Sequence, residues 1–229
     1  MSASIVPQLV KKDFRLMRGT LLSFVVVSFV FIAALSFMVG HVPFTVLANL
    51  GFIMLIGPAG TCGIVLLMKT TVFEKEKSTQ AFIMSLPLTV KEFTRAKLLF
   101  NIPVFSVFWL GVSLVGFYFA FGRGLFPLGM VPFVTMVFLG GFVAYILILC
   151  VSLLTQSLGV TVLCIALFET GTSAYMWMLA YFAPIRDHVL GPTPFWNDTA
   201  LSVVAVQAAV AVAAISATLL IQNTKRDFI

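Results

Sequence analysis

The chain has 229 residues, 61% hydrophobic and only 10% charged. A water-facing globular surface takes about 25% charged residues, so the composition excludes a soluble domain and implies one integral membrane domain. The net charge of +6 does not indicate nucleic acid, because twelve of the fourteen basic residues fall in three places: Lys11, Lys12, Arg15 and Arg18; the stretch 69–97; and Lys225 with Arg226. That distribution is a topology signal.

Residues 2–18 read as an amphipathic helix within an N-terminal segment 1–18. Val6, Val10, Phe14 and Met17 form its apolar stripe, flanked by Ile5, Leu9 and Leu16, with the four cations largely off it. A basic amphipathic helix rests in the headgroup layer with its apolar face down. Its charges sit too far in, and the following apolar run is too long, for a secretory signal peptide.

Gly19 to Met68 contains no Asp, Glu, Lys or Arg. A span needs about 20 residues, so two fit: roughly 20–40 and 45–68, with a turn at His41-Val42-Pro43. Pro58 is expected to kink the second, and its glycines to admit a neighbouring helix. A third span covers roughly 98–121, a fourth 129–154 and a fifth 159–182, the last two separated by Thr155-Gln156-Ser157. A segment at 183–198 carries Arg186, Asp187, His188 and Trp196, and the sixth span covers roughly 199–221. Ala205, Ala209, Ala213 and Ala217 make a small-residue ladder there, expected to pack on a neighbouring helix. Asn197-Asp198-Thr199 matches a glycosylation pattern but abuts the last span too closely to be modified readily.

The fold class is therefore an all-α integral membrane protein of six transmembrane helices. Both termini, the 69–97 stretch and the 155–157 turn share one face. The twelve-to-two split of basic residues makes that face cytoplasmic.

The 69–97 stretch is the only long polar segment. Thr89-Val90-Lys91-Glu92 fits a capping box, with Leu88 and Phe93 placed for a hydrophobic staple. Pro87 disfavours helix at Leu86. A helix should start near Val90 and run into the third span. Upstream, Phe73 to Met84 reads as a second short helix. The plain alternative is a solvated loop facing the headgroups.

The pattern Phe73-Glu74-Lys75-Glu76 … Ser85-Leu86-Pro87-Leu88 … Glu92 … Lys97, between the second and third of six spans, resembles the permease subunits of ABC-2-type transporters. The helix Leu9-Val10-Lys11-Lys12-Asp13-Phe14 before the first span is similar to that family as well. The likeness covers the layout of almost the whole chain, and its sharp motif covers about 25 residues. It implies a connecting helix that includes Lys11, Lys12, Asp13, Phe14 and Arg15. It implies a cytoplasmic coupling helix docking on a separate ATPase subunit, through Phe73, Glu74, Lys75, Glu76, Ser78 and Phe82, with Leu86 and Pro87 holding the turn. It also implies a second permease copy or paralogue, a path at the interface between them, and ATP and Mg held by the ATPase rather than by this chain. The membrane would be a bacterial inner or plasma membrane.

No G-x-x-x-x-G-K-[ST] occurs, so the chain has no phosphate-cradling loop of its own. No spacing suggests a metal site, and no catalytic constellation suggests an enzyme. Cys62, Cys150 and Cys164 lie in apolar runs and read as small packed hydrophobes. Glu169 stands out, near the middle of the fifth span beside Thr170, Thr172 and Ser173. A carboxylate at mid-membrane costs about 2.5–3.5 kcal/mol on insertion scales. Glu169 is either a polar group of a substrate path or a structural group bonded to a neighbouring helix. The leading expectation is an ATP-driven exporter subunit for an amphipathic or hydrophobic cargo such as a peptide, lipid-like molecule or drug, working by alternating access. The alternatives are a proton-coupled secondary transporter using Glu169 and a non-transporting membrane scaffold.

Overall fold

The structure is a computed structural model that describes residues 5–76 and 89–224. Among the described residues it is built of helices alone, in the order α1 (Ile5–Met38), α2 (Phe44–Leu67), α3 (Phe73–Glu76), α4 (Val90–Phe117), α5 (Val131–Thr155), α6 (Leu158–Tyr181), α7 (Ala183–Arg186) and α8 (Asp198–Thr224). Six are long and apolar enough to cross a bilayer. The chain is a multi-pass, all-α membrane protein. Helices are the fitting solution because each backbone N–H and C=O in hydrocarbon must be satisfied inside its own segment.

The described residues form two compact units. The first holds residues up to Glu74 and Arg95–Leu125; the second holds Phe126 onward with the described residues between Lys75 and Thr94.

In the first unit the expected division between an interfacial helix at 1–18 and a span at 20–40 is absent. Residues 5–38 are one unbroken helix. Gly19 costs an α-helix only about 1 kcal/mol relative to Ala, and the one proline, Pro7, lies in the first turn, where its missing N–H has no intrahelical bond to lose. Thirty-four residues at a rise of ~1.5 Å extend well beyond a hydrocarbon core of ~30 Å, so part of α1 projects from the apolar layer. Its buried residues are Leu9, Asp13, Met17 and Leu35. The stripe read from the sequence needs correcting at Phe14 and Leu16, which are exposed, while Asp13 turns inward in their place. The reason is an ionic one, developed below.

The turn at His41-Val42-Pro43 is present. Gly40 precedes it at φ +85°, a left-handed conformation that glycine adopts without a Cβ penalty. α2 then returns along α1, and the missing Cβ at Gly51 makes room for Leu35. Pro58 lies inside α2, which runs on without interruption to Leu67. The helix then widens into a π turn at Met68–Val72. A second π turn, Tyr118–Gly122, follows α4. Such turns insert one extra residue and shift which side chains face inward.

The capping box at the start of α4 forms as the sequence indicates. Glu92 N–H donates to Thr89 Oγ1 at 3.2 Å, and Thr89 N–H donates to Glu92 Oε2 at 2.9 Å. Leu88, the other half of the expected staple, lies outside the described residues, as do Ser78, Phe82, Ser85, Leu86 and Pro87.

In the second unit α5 is the central helix, packing on both α6 and α8. Two apolar clusters line it: Met136, Val137, Leu179, Ile185 and Ala200 at one end, Val143, Ile146, Cys150 and Ala211 further along. The Thr155-Gln156-Ser157 turn is present, with Gln156 left-handed at φ 48° and its N–H bonded to Ser152 O at 2.9 Å.

The alanine ladder of α8 does not pack within the chain: Ala205, Ala209, Ala213 and Ala217 are all exposed. The buried face carries Ala200, Gln207, Ala211, Thr218 and Gln222 instead. Gln207 Nε2 donates to the Met136 carbonyl at 2.9 Å and to the Tyr175 hydroxyl at 2.8 Å, and Gln222 Nε2 donates to the Leu153 carbonyl at 2.8 Å. An amide in hydrocarbon must find such partners, because going without costs roughly 1–3 kcal/mol. That requirement, more than the small residues, sets the rotation of α8. Gly140 leaves space for it, since a Cβ there would lie 2.9 Å from Tyr175 Cε1.

Asn197 has a structural task that accounts for it apart from any glycosylation pattern. Its Oδ1 accepts from Ala200 N–H at 2.8 Å at the start of α8, and its Nδ2 donates to Pro184 O at 2.6 Å. This is the N-cap arrangement for which Asn is favoured. Nearby, the Gly129 N–H bonds to Gly191 O at 2.9 Å, and a Cβ on Gly129 would meet His188 O at 2.3 Å. The blocking atoms are backbone and cannot step aside. Gly129→Ala should therefore destabilise the protein by about 1–3 kcal/mol, the range for overpacking. Gly159→Ala, which meets nothing within 4 Å, should be close to neutral. Thermal unfolding of both variants in detergent micelles checks this.

Candidate functional site

The polar side chains of the first unit converge on one place. Asp13 and Lys12 come from α1, Glu74 from α3 and Lys97 from α4. Lys97 Nζ lies 2.8 Å from Asp13 Oδ2 and 2.7 Å from Glu74 Oε2. Lys12 Nζ lies 2.5 Å from Glu74 Oε1 and 3.3 Å from Asp13 Oδ1. Each carboxylate thus faces both ammonium groups, and the four charges form a closed alternating ring with no net charge. The Lys97 and Asp13 side chains are fully buried, Glu74 is 6% exposed, and Lys12 closes the ring from its solvent side at 38%.

Local structure explains the convergence. The π turn at Met68–Val72 leads directly into α3. Thr70 and Glu74, four residues apart, both face inward, opposite Asn101 and Lys97, which are also four residues apart. This spacing gives two rungs. Glu74 meets Lys97 in one; in the other, Thr70 Oγ1 lies 3.1 Å from Asn101 Oδ1. Asn101 Nδ2 donates to the Lys97 carbonyl at 2.9 Å. On the α1 side, Lys69 Nζ donates to Thr20 Oγ1 at 2.8 Å. Leu9 and Met17, one turn either side of Asp13, are buried with it.

Burying four ionised groups is expensive, and the arrangement persists because every charge is matched. Its chemical capacity is mechanical. Among the described residues no group of three or more His, Cys, Asp or Glu could hold a metal ion. The ring fixes α1, the end of the α2–α3 segment and the start of the third span to one another.

The predicted coupling residues divide accordingly. Glu74 lies inside the ring, turned away from solvent, and Phe73 is half-buried beside it. Lys75 and Glu76 are described in backbone only. Of the connecting-helix residues, Lys12 and Asp13 belong to the ring, while Lys11, Phe14 and Arg15 are exposed. The sequence pattern includes Lys97 only as the basic residue at the entry to the third span, and it does not include Thr70 or Asn101. One signal was available: Lys97 and Asn101, at helical spacing, are the last polar residues before a long apolar run. The π turn that brings Thr70 and Glu74 round to them has no sequence signature.

The second predicted polar group lies in the second unit. Glu169 is exposed on α6, as are Thr170 and Ser173, while Thr172 is half-buried. Thr170 and Thr172 bond their hydroxyls back to Ala166 O and Phe168 O, both within α6. The structure does not bring Glu169 together with another helix of its unit, as the structural reading required. Cys62 and Cys150 are buried and all three cysteines are free thiols, in keeping with a packing role.

No protein-family model, no curated protein and no solved structure matches the chain.

Removing one member of a buried ion pair costs about 3–5 kcal/mol, because its partner is left charged in a low-dielectric site. Lys97→Met should lose that much, and Glu74→Gln a similar amount. The double variant K97M/E74Q leaves the neutral pair Lys12–Asp13. It should therefore lose less than the sum of the two, with a coupling of roughly 0.5–3 kcal/mol. Unfolding of the four proteins in one detergent closes the cycle.

Proposed function

We propose that this chain is the membrane-spanning permease subunit of an ATP-driven transporter of the ABC-2 type. In this reading ATP is hydrolysed by a separate subunit, both termini are cytoplasmic, and a second permease copy or paralogue completes the path. The observation that carries the proposal is the buried ring of Lys12, Asp13, Glu74 and Lys97. It ties Glu74, near the start of the one long polar stretch, and Lys97, at its end, to each other and to α1. A passive loop needs no such anchoring. A segment that must pass a partner's push into the membrane does, since a flexible joint would absorb the motion. The excess of basic residues on this face of the chain supports its cytoplasmic placement.

The coupling contact then falls on the residues beyond the anchor: Lys75, Glu76, Ser78 and Phe82, with Leu86 and Pro87 at the bend. The cargo would be amphipathic or hydrophobic and exported by alternating access. One observation favours a second reading, a proton-coupled secondary transporter: Glu169 is ionisable, exposed and half-way along α6. Liposomes containing the purified chain alone, driven by a pH gradient, distinguish the two, because only the secondary transporter would accumulate cargo without an ATPase.

The direct test is co-purification. The tagged chain, extracted from its native membrane in mild detergent, should bring down an ATPase carrying a P-loop. E76K/F82A leaves the four ring residues untouched and should keep the thermal unfolding temperature. Loss of a hot-spot contact costs about 2 kcal/mol or more, so ATPase capture should fall by more than an order of magnitude. Undiminished capture by the variant would remove these residues from the interface, and absence of any ATPase would remove the proposal.

A further inference from the structure

Helix α6 differs from its neighbours in how little of it is covered. Of its 24 residues only Thr161 and Leu179 are buried, against twelve in α5. Its open face includes Val162, Leu163, Ala166, Glu169, Thr170, Ser173 and Trp177. Glu169 is the twelfth residue of the helix, which places it ~16 Å from either end at 1.5 Å per residue. Aromatic side chains fix the depth independently. Trp177 and Tyr181 stack with centroids 6.0 Å apart near the C-terminal end of α6, and Phe195 and Trp196 are exposed just before α8. Such residues gather at the membrane–water boundary. Glu169 lies eight residues, ~12 Å, below Trp177, inside the hydrocarbon layer.

Among the described residues the Glu169 carboxylate has neither a hydrogen-bond nor an ion-pair partner. The adjacent threonines spend their hydroxyls on α6 itself. A second copy of the chain cannot supply a cation at this depth. Neither Lys nor Arg occurs at 19–68, 98–122, 124–185 or 187–224, so apposed copies would bring only another Glu169. If it stays ionised, a carboxylate in this position must meet water or a positive charge carried in from outside. The surface around it is apolar: Val162 and Leu163 below, Ala166 one turn below, and the Trp177 ring above.

We infer that the Glu169 face of α6 is a binding site for a hydrophobic cation, an apolar body with a single positive charge that pairs with Glu169 while the body lies against Val162, Ala166 and Trp177. The inference rests on the transport reading for its physiological meaning, and it narrows the cargo from hydrophobic molecules at large to cationic ones. The binding step itself requires no ATPase.

The experiment is equilibrium binding of radiolabelled tetraphenylphosphonium to the purified full chain in lipid nanodiscs, with empty nanodiscs as the blank. Binding to the wild type should saturate and should resist displacement by tetraphenylborate, which has the same shape and the opposite charge. Glu169→Gln removes the charge and keeps the shape, and should weaken binding by roughly tenfold or more, as expected when a charge partner is lost in a low-dielectric site. Glu169→Asp should restore most of the affinity. Ala166→Trp leaves the carboxylate intact but fills the surface where the cation's body would lie, and should also weaken binding. Equal binding by the wild type and E169Q, absence of saturable binding, or equal displacement by tetraphenylborate would each overturn the inference. So would a change of oligomeric state in E169Q, by light scattering, without cation binding by the wild type; Glu169 would then belong to an interface between chains. A chain that binds the cation but captures no ATPase keeps this site and loses the coupling proposal. The converse result loses the site alone.

Discussion

A buried charge must be matched where it sits, and the first unit is arranged around that requirement. Lys97 is fully enclosed, and an enclosed ammonium with no counter-charge would cost several kcal/mol. Asp13 and Glu74 answer it, and Lys12 answers the second negative charge they introduce. Three segments far apart in the chain are held in register by this balance. Hydrophobic contact alone could not do it, because helices in lipid gain nothing from moving apolar surface away from hydrocarbon. The ring also accounts for the inward turn of Asp13, the outward turn of Phe14 and the position of the π turn that ends α2.

The second unit meets the same constraint with neutral groups. Gln207 and Gln222 reach carbonyls of α5, and the rotation of α8 follows from those two bonds rather than from its alanines. Gly129 and Asn197 tie down the segment before α8 by backbone contact and capping. The rule behind both units is that polar groups within or beside the hydrocarbon layer are satisfied inside the protein.

Glu169 departs from that rule with a carboxylate rather than a hydroxyl or amide oxygen, and the contrast with the ring gives the departure its meaning. Many hydroxyls in the apolar helices turn to a carbonyl of their own helix: Ser106, Ser113, Thr135 and Thr161 all bond four residues back. A side chain that could be replaced by leucine with better insertion energy, and has no partner in its own unit, points to a partner outside the chain. The ring and the open face of α6 are then complementary features: one a rigid joint of balanced charge, the other an unbalanced charge on an uncovered surface.

Composition and hydropathy were enough to determine six helices long and apolar enough to cross a membrane, and local chemistry the turns at His41–Pro43 and Gln156 and the capping box at Thr89–Glu92. These depend on local chemistry: the length of an apolar run, a left-handed residue, a hydroxyl three positions from a carboxylate. Glu169 also stood out from sequence alone, since a lone carboxylate in a long apolar run is visible without coordinates. Only the tertiary structure decided that α1 is continuous, that the alanine ladder faces outward, and that Lys12, Asp13, Glu74 and Lys97 form one ring. The ring depends on pairings across 23 to 84 positions of sequence, and on an extra residue in a π turn that rotates a whole face. The polar stretch beginning at Lys69 showed as a feature in the sequence. That Glu74 near its start and Lys97 at its end close one ring of charge is a property of separate helices meeting, which no single stretch of residues encodes.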